Sequence, residues 1–238
     1  ESGDIVYSMF KELDYATSLK DGPYSNTNFA DVFRKAAAGS DPNKVYFVDF
    51  KSYFPSYEAP AGFVSSPIFD GDDKVGVAIF QFPIDRLNAI VAERTGLGET
   101  GETYLVGEDH LMRSDSFLDP NNRNVGSSFR QPATGKAETA AVDAALKGEA
   151  GHGVVRNYLG RTVLSAWSPL AFEDFHWAMI AEIDITEAMS PVNQQGEEYY
   201  DRYVKNNGYY DLFLINPDGY IFYTAAKEAD YHTNILTG

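Results

Sequence analysis

Apolar and polar positions along this chain alternate between helical and strand periods. Phe29, Val32, Phe33 and Ala36 fall on one face of a short helix, with Asn28 placed as its N-cap and Gly39 able to close it. Strand patterns follow at 45–51, 61–68 and 74–82, joined by the Tyr- and Pro-rich SYFPSYEAP and by a turn at Asp70, Gly71, Asp72 and Asp73. This predicts an antiparallel meander. Pro83 suits the first turn of a second helix, in which Ile84, Leu87, Ile90 and Val91 share a face and Arg94 sits at the C-terminal end.

Gly96, Gly98 and Gly101 then allow positive φ, and the chain turns from helix to sheet, with residues 103–106 alternating as a strand. Asp109 turns it back, and 111–116 reads as the returning strand of a hairpin carrying Arg113 and Asp115. Residues 119–136 are polar throughout and read as a long excursion over a pocket; 138–147 reads as an Ala-rich helix stopped by Gly148. Strands at 153–158, 162–168 and 175–184 complete a second sheet, with Leu159 and Gly160 in a tight turn. On the last strand, Phe175, Trp177, Met179, Ala181 and Ile183 form an apolar face; His176, Ala178, Ile180, Glu182 and Asp184 form a mixed one. The class is α+β: two units, 1–93 and 94–190, each a central antiparallel sheet with flanking helices, joined by a helix.

The chain also repeats itself. Residues 3–22, GDIVYSMFKELDYATSLKDG, align without a gap on residues 219–238, GYIFYTAAKEADYHTNILTG. A helix-like stretch at 197–207, ended by Gly208, and a strand-like stretch at 209–215 precede the second copy, whereas nothing precedes the first. Residues 191–238 are therefore expected to supply the helix and strand that the first unit lacks, within the chain or as a swap between neighbours, or else to open a further, truncated unit.

Composition narrows the function. A net charge of −16 on 238 residues disfavours nucleic acid, whose phosphates it repels. The absence of cysteine removes disulfides, thiolate metal sites and cysteine nucleophiles. No apolar run is long enough for a membrane span and no signal peptide is seen, so the chain reads as soluble or as a fragment from between membrane helices.

Gly96, Gly98 and Gly101 satisfy G-x-G-x-x-G, but a dinucleotide site needs a strand before that motif and a helix after it, and here the order is reversed. Asp70, Asp72 and Asp73 lack the spacing of a calcium loop. The four histidines, His110, His152, His176 and His232, are far apart, so no metal and no cofactor is expected. No G-x-S-x-G elbow is present, and the chain reads as non-enzymatic. What remains for ligand binding are polar and aromatic residues on the sheets: Tyr7, Tyr46, Asp49, Tyr53 and Ser65 in the first unit, and Arg113, Asp115, Arg156, Tyr158, Ser165 and Trp167 in the second. Arg113 with Asp115 reads equally well as a structural ion pair.

The words GETGETYLVG and LMRSDS, with AGFVSSPIFDGDDKVGVAIFQFPIDRLNAI upstream and VLSAWSPL and WAMIAEID downstream, resemble the double Cache sensor domains. These are the PAS-like extracytoplasmic halves of bacterial chemoreceptors, sensor kinases and cyclases. The resemblance implies a periplasmic or extracellular ectodomain that binds a small molecule, is membrane-anchored in the full protein and homodimerises through helices. It implies a pocket in the first unit, bounded by the loop 53–60 and the strands at Tyr46, Asp49 and Ser65, with helices at 83–94 and 186–207 moving on binding. Amino-acid-binding Cache domains carry a Trp-Tyr pair in the first module, whereas both tryptophans here, Trp167 and Trp177, lie in the second; that ligand class is not implied. The alternative expectations are a protein-interaction or adhesion module with filled pockets and, third, a hydrolase with a carboxylate pair.

Overall fold

The computed structural model describes residues 2–190, 192 and 196–237. Helix α1 (Asn28–Ala38) lies across an antiparallel sheet of β1 (Tyr46–Tyr53), β2 (Ala59–Asp70) and β3 (Asp73–Gln81), in that order. Val32 of α1 packs with Val48, Tyr53, Ala61 and Phe63 of the sheet. The N-cap is Thr27, whose hydroxyl accepts from the Ala30 N–H, and not Asn28. Asn28 is one position inside and buried, because its amide donates to the carbonyls of Asp49 (2.9 Å) and Ala61 (2.7 Å) and so ties the helix to two strands. β1 carries an irregularity between Val48 and Lys51. An extra residue there bends a strand and re-aims its side chains.

Helix α2 (Ile84–Val91) leads to the second sheet, built from β4 (Glu102–Gly107), β5 (Gly151–Arg156), β6 (Thr162–Ala171) and β7 (His176–Asp184) in the antiparallel order β4-β7-β6-β5. The polar excursion between β4 and β5 folds into three short helices, α3 (Val125–Arg130), α4 (Pro132–Gly135) and α5 (Ala140–Leu146). Thr139 caps α5, which packs Ala141, Val142 and Ala145 onto Tyr104, Val106, Ala178 and Ile180 of the sheet. The face of β7 that looks mixed in sequence is therefore the one the helices cover; Ala178 and Ile180 are fully buried while Met179, on the apolar face, is 42% exposed. Trp177 escapes exposure because it meets the first sheet. The expected returning strand at 111–116 makes a single bridge, Met112 to Val106; the Ser114 hydroxyl then accepts the Leu105 N–H and ends the ladder.

After α6 (Ile185–Ala188), α7 (Tyr199–Asn207) leads to a two-stranded ribbon of β8 (Phe213–Ile215) and β9 (Ile221–Thr224). Positions 191 and 193–195 of the tail fall outside the described residues. A two-stranded ribbon is marginal alone, and this one packs Phe222 and Tyr223 on Ile185, Leu164 and Met189, at the α6 end of the second sheet. It thus seats on the second sheet rather than filling the slot in the first. Both copies of the repeat fold alike: Gly3 and Gly219 have φ of 83° and 89°, Lys11 and Lys227 both 50°, Ala16 and His232 63° and 65°.

Candidate functional site

Two of the candidate residues meet across the joint between the sheets. Asp49, re-aimed by the irregularity in β1, accepts from Arg113 Nε (2.8 Å), Arg113 Nη2 (2.7 Å) and Trp177 Nε1 (2.8 Å). Arg113 is 1% exposed; it also pairs with Asp109 at 3.0 Å and donates to the Leu111 carbonyl. Burial disfavours its charge, but the bonds and charges of Asp49 and Asp109 outweigh that and raise its pKa. Gly107 leaves the room, since a Cβ there would overlap the guanidinium. This pair is a clamp between sheets. Asp115 is not its partner: its carboxylate accepts from the Asn88 amide and the Val125 N–H.

The other candidates of the first sheet are engaged in packing. Tyr53 is buried and donates to Asp14 at 2.7 Å, Ser65 donates to the Val32 carbonyl at 2.8 Å, and Tyr46 rests its hydroxyl against Gly39. Tyr7 is 75% exposed. On the second sheet Arg156 is exposed and donates to the Gly160 carbonyl, while Trp167 lies on the inner face over Gly151.

An open cleft of about 520 Å³ lies between the excursion and the turn after β5, lined by Arg123, Pro132, Ala133, Lys136, Glu138 and Tyr158. Arg123 stacks at 4.5 Å over the Tyr158 ring and is fixed by Asp119 (2.5 Å) and the Lys136 carbonyl (3.0 Å). The Tyr158 hydroxyl bonds to Glu102 and lies 2.6 Å from the Ser116 hydroxyl. Beneath it, Glu102 and Glu182 face each other directly on β4 and β7, 0% and 3% exposed. Glu102 also accepts from Ser116 (2.9 Å) and the N–H groups of Phe117 and Leu118; Glu182 accepts from Asn157 (2.9 Å) and Tyr104 (3.2 Å). Burial, and then the neighbouring Glu102 charge, push the Glu182 pKa up to about 7, against the lowering effect of the Asn157 and Tyr104 bonds. Burial pushes the Tyr104 and Tyr158 phenols upward as well.

Neither glutamate stands out from composition. The available signal is positional: a carboxylate at an inward-facing position of each of two neighbouring strands.

No family model and no curated protein matches the chain. Among solved structures, the periplasmic sensory domain of the Campylobacter jejuni chemoreceptor Tlp1 superposes with a TM-score of 0.50 at 18% identity, over 76% of this chain and 61% of that one. The fold is that of a bacterial chemoreceptor sensory domain. This chain spans less than two thirds of the Tlp1 domain's length. Two more distant superpositions are with the ligand-binding domains of Pseudomonas aeruginosa PctB in complex with L-glutamine (TM-score 0.44, 14% identity, 75% of this chain and 64% of that one) and of Pseudomonas fluorescens CtaA in complex with L-isoleucine (0.44, 13%, 71% and 61%).

Proposed function

We propose that this chain is the non-enzymatic, small-molecule-sensing part of a receptor displayed on the extracytoplasmic side of a bacterial inner membrane. Its two sheets act as two modules, 1–93 and 94–190, and the ligand site is the cleft between the excursion and the turn after β5. The observation that carries this reading is the cleft itself: an open space between the excursion and Tyr158 of the turn after β5, walled in part by side chains in defined hydrogen bonds, in a protein with a sensory-domain fold. The small-molecule class fits PctB and CtaA, whose structures hold amino acids. No helix among the described residues is long and apolar enough to cross a membrane; membrane anchoring of the full receptor and pairing of two copies through helices are part of the proposal.

Signalling by such a site is a population shift: a ligand that prefers one of two states by about 5 to 150-fold supplies ~1–3 kcal/mol of coupling. The route is short. Ser116, which bonds to Glu102, lies three residues from Arg113 of the clamp, and β7 runs from Trp177 to α6.

The test is a thermal-shift screen of small polar metabolites on the intact chain. A saturating ligand at about 100 times its Kd adds ~2.7 kcal/mol of stability. Lys136→Ala and Tyr158→Ala are expected to abolish that shift. A hit unaffected by both variants, or no hit at all, overturns the assignment.

A further inference from the structure

The cleft between the excursion and the turn after β5 runs against the charge of the rest of the chain. The protein carries a net −16, yet the six residues that line the cleft include two cations, Arg123 and Lys136, against one acid, Glu138. The fold itself holds the cations together, because Arg123 Nε donates to the Lys136 carbonyl at 3.0 Å.

Arg123 is fixed before any ligand arrives. Asp119 takes its Nη1 at 2.5 Å and the guanidinium sits 4.5 Å from the centre of the Tyr158 ring, while its N–H donates to the Asp119 carbonyl (2.9 Å) and its carbonyl accepts from the Ser116 N–H (2.8 Å). One donor is left over. Nη2 makes no hydrogen bond among the described residues and is not one of the buried atoms without a partner, so solvent reaches it, and the open space beside Arg123 is the cleft.

Lys136 is held more loosely. Its ammonium pairs with Glu138 at 3.3 Å, and the two side chains are 40% and 63% exposed, so the pair is worth little and is readily exchanged for a better one. The Tyr158 hydroxyl is already bonded to Glu102 and Ser116, and Pro132 and Ala133 are apolar. Apart from Glu138, the polar groups that the cleft offers are therefore donors: a guanidinium edge and an ammonium.

We propose that the cleft takes a small monocarboxylate with a short apolar tail, its carboxylate held between Arg123 Nη2 and Lys136 Nζ in place of Glu138, and its tail against Pro132 and Ala133. The proposal rests on the sensing role of the cleft and names its ligand class. A bond between a cationic donor and a carboxylate is about twice as strong as a neutral one, which favours the acid over its uncharged isostere. One negative charge suits the site better than two: Asp119 and Glu138 stay close to the same cations, and they repel a phosphate more than a carboxylate. Glu138 is the built-in competitor, and that sets the sign of its substitution.

The experiment is calorimetric titration of the intact chain with sodium propionate, with propionamide as the uncharged isostere and inorganic phosphate as the dianion. Saturable binding of propionate is expected, with no binding of propionamide and weaker binding of phosphate. Lys136→Gln is expected to weaken propionate about tenfold, and Glu138→Gln, which removes the competing carboxylate, to tighten it several-fold; both side chains are exposed, so the fold survives either change. Opposite responses at two neighbouring surface positions are not what a general loss of structure produces. Equal binding of propionamide, tighter binding of phosphate, or propionate affinity unchanged in Lys136→Gln overturns the proposal. So does weaker binding in Glu138→Gln, which would make Glu138 a contact to a cationic part of the ligand. If a metabolite from the screen binds the cleft while propionate does not, the carboxylate assignment falls and the sensing role stands; silence of both overturns both.

Discussion

Glu182 is where sequence, burial and titration meet most directly. On a strand it needs only an inward-facing position to be buried, and opposite Glu102 it takes up a proton well above the ordinary carboxylate range, at about 7. Because the folded pKa is raised, the native state holds a proton that the unfolded chain has lost between about pH 4.5 and 7. Stability from this group is full below the unfolded value and disappears as pH rises through 7, a swing of about 3 kcal/mol. Urea denaturation at pH 5 and pH 8 should therefore show the protein more stable at pH 5 by an amount of that order. Glu182→Gln, whose amide can donate to Glu102, should flatten the difference. An equal slope in the variant would mean that other groups carry it.

At the scale of elements, the glycine loop between the units carries a contact that its motif alone does not reveal. Glu187 of α6 places its carboxylate on the N–H groups of Glu99 (2.6 Å) and Thr100 (2.8 Å) and on the Thr100 hydroxyl, and these bonds hold its pKa below the usual carboxylate value against burial. G-x-G-x-x-G here does cradle an anion, but it is the chain's own. Arg94 closes the loop from the other side by donating to the carbonyls of Gly98, Glu99 and Gly101. Gly98 has φ of 64° and a Cβ there would overlap the Glu187 carboxylate. Gly98→Ala is thus expected to cost about 1–3 kcal/mol through left-handed backbone and a lost anion contact, and to speed amide exchange along α6; unchanged exchange would show that the contact does not hold the helix. The strand meander, the excursion, the tight turn at Gly160 and the repeat were legible because each rests on local periodicity or on glycine and proline chemistry. The cap at Thr27 rather than Asn28, the end of pairing at Ser114 and the face of β7 that becomes core were not, because tertiary partners decided them: the Asp49 and Ala61 carbonyls claimed Asn28, the Leu105 N–H took the Ser114 hydroxyl, and the helices covered Glu182. The candidate site was legible in part. Arg113 and Asp49 were singled out but serve each other, whereas Glu102 and Glu182 carry no motif and become visible only when β4 is seen beside β7.

At the scale of the whole molecule, the repeat provides an internal control. Residues 5–8 and 221–224 share sequence and neighbouring loop geometry, yet Val6 and Tyr7 are 85% and 75% exposed where Phe222 and Tyr223 are 9% and 0%. The difference is β8, which pairs with the second copy. Hydrogen exchange should show the amides of Tyr223 and Thr224 protected and those of Val6 and Tyr7 fast; protection of both that is lost on dilution would reveal strand exchange between copies at the open edge.

The two sheets are joined by a seam of aromatic rings: Trp177 meets Phe50, Phe82 and Phe172 at centroid distances of 5.7, 6.0 and 4.9 Å, and Phe47 packs on Phe172 at 5.7 Å. Pairs of this kind are worth ~0.5–1.5 kcal/mol each beyond the area they bury, so the seam is cohesive without being specific. Register comes from the clamp. Lys44 with Glu173 at 2.5 Å is an exposed pair beside it and adds little. Arg113→Ala leaves Asp49 with only the Trp177 donor and the Phe50 N–H, and strips Asp109 of its charged partner, so the cost should approach the roughly 3–5 kcal/mol of a broken buried pair. If that energy lies between the sheets, the wild-type protein melts as one unit and Arg113→Ala separates the transition into two, seen as a calorimetric enthalpy that exceeds the van't Hoff value. A single, cooperative but lower transition in the variant would instead place the clamp's energy inside the second sheet, where Arg113 also holds the 107–111 turn through Asp109 and the Leu111 carbonyl.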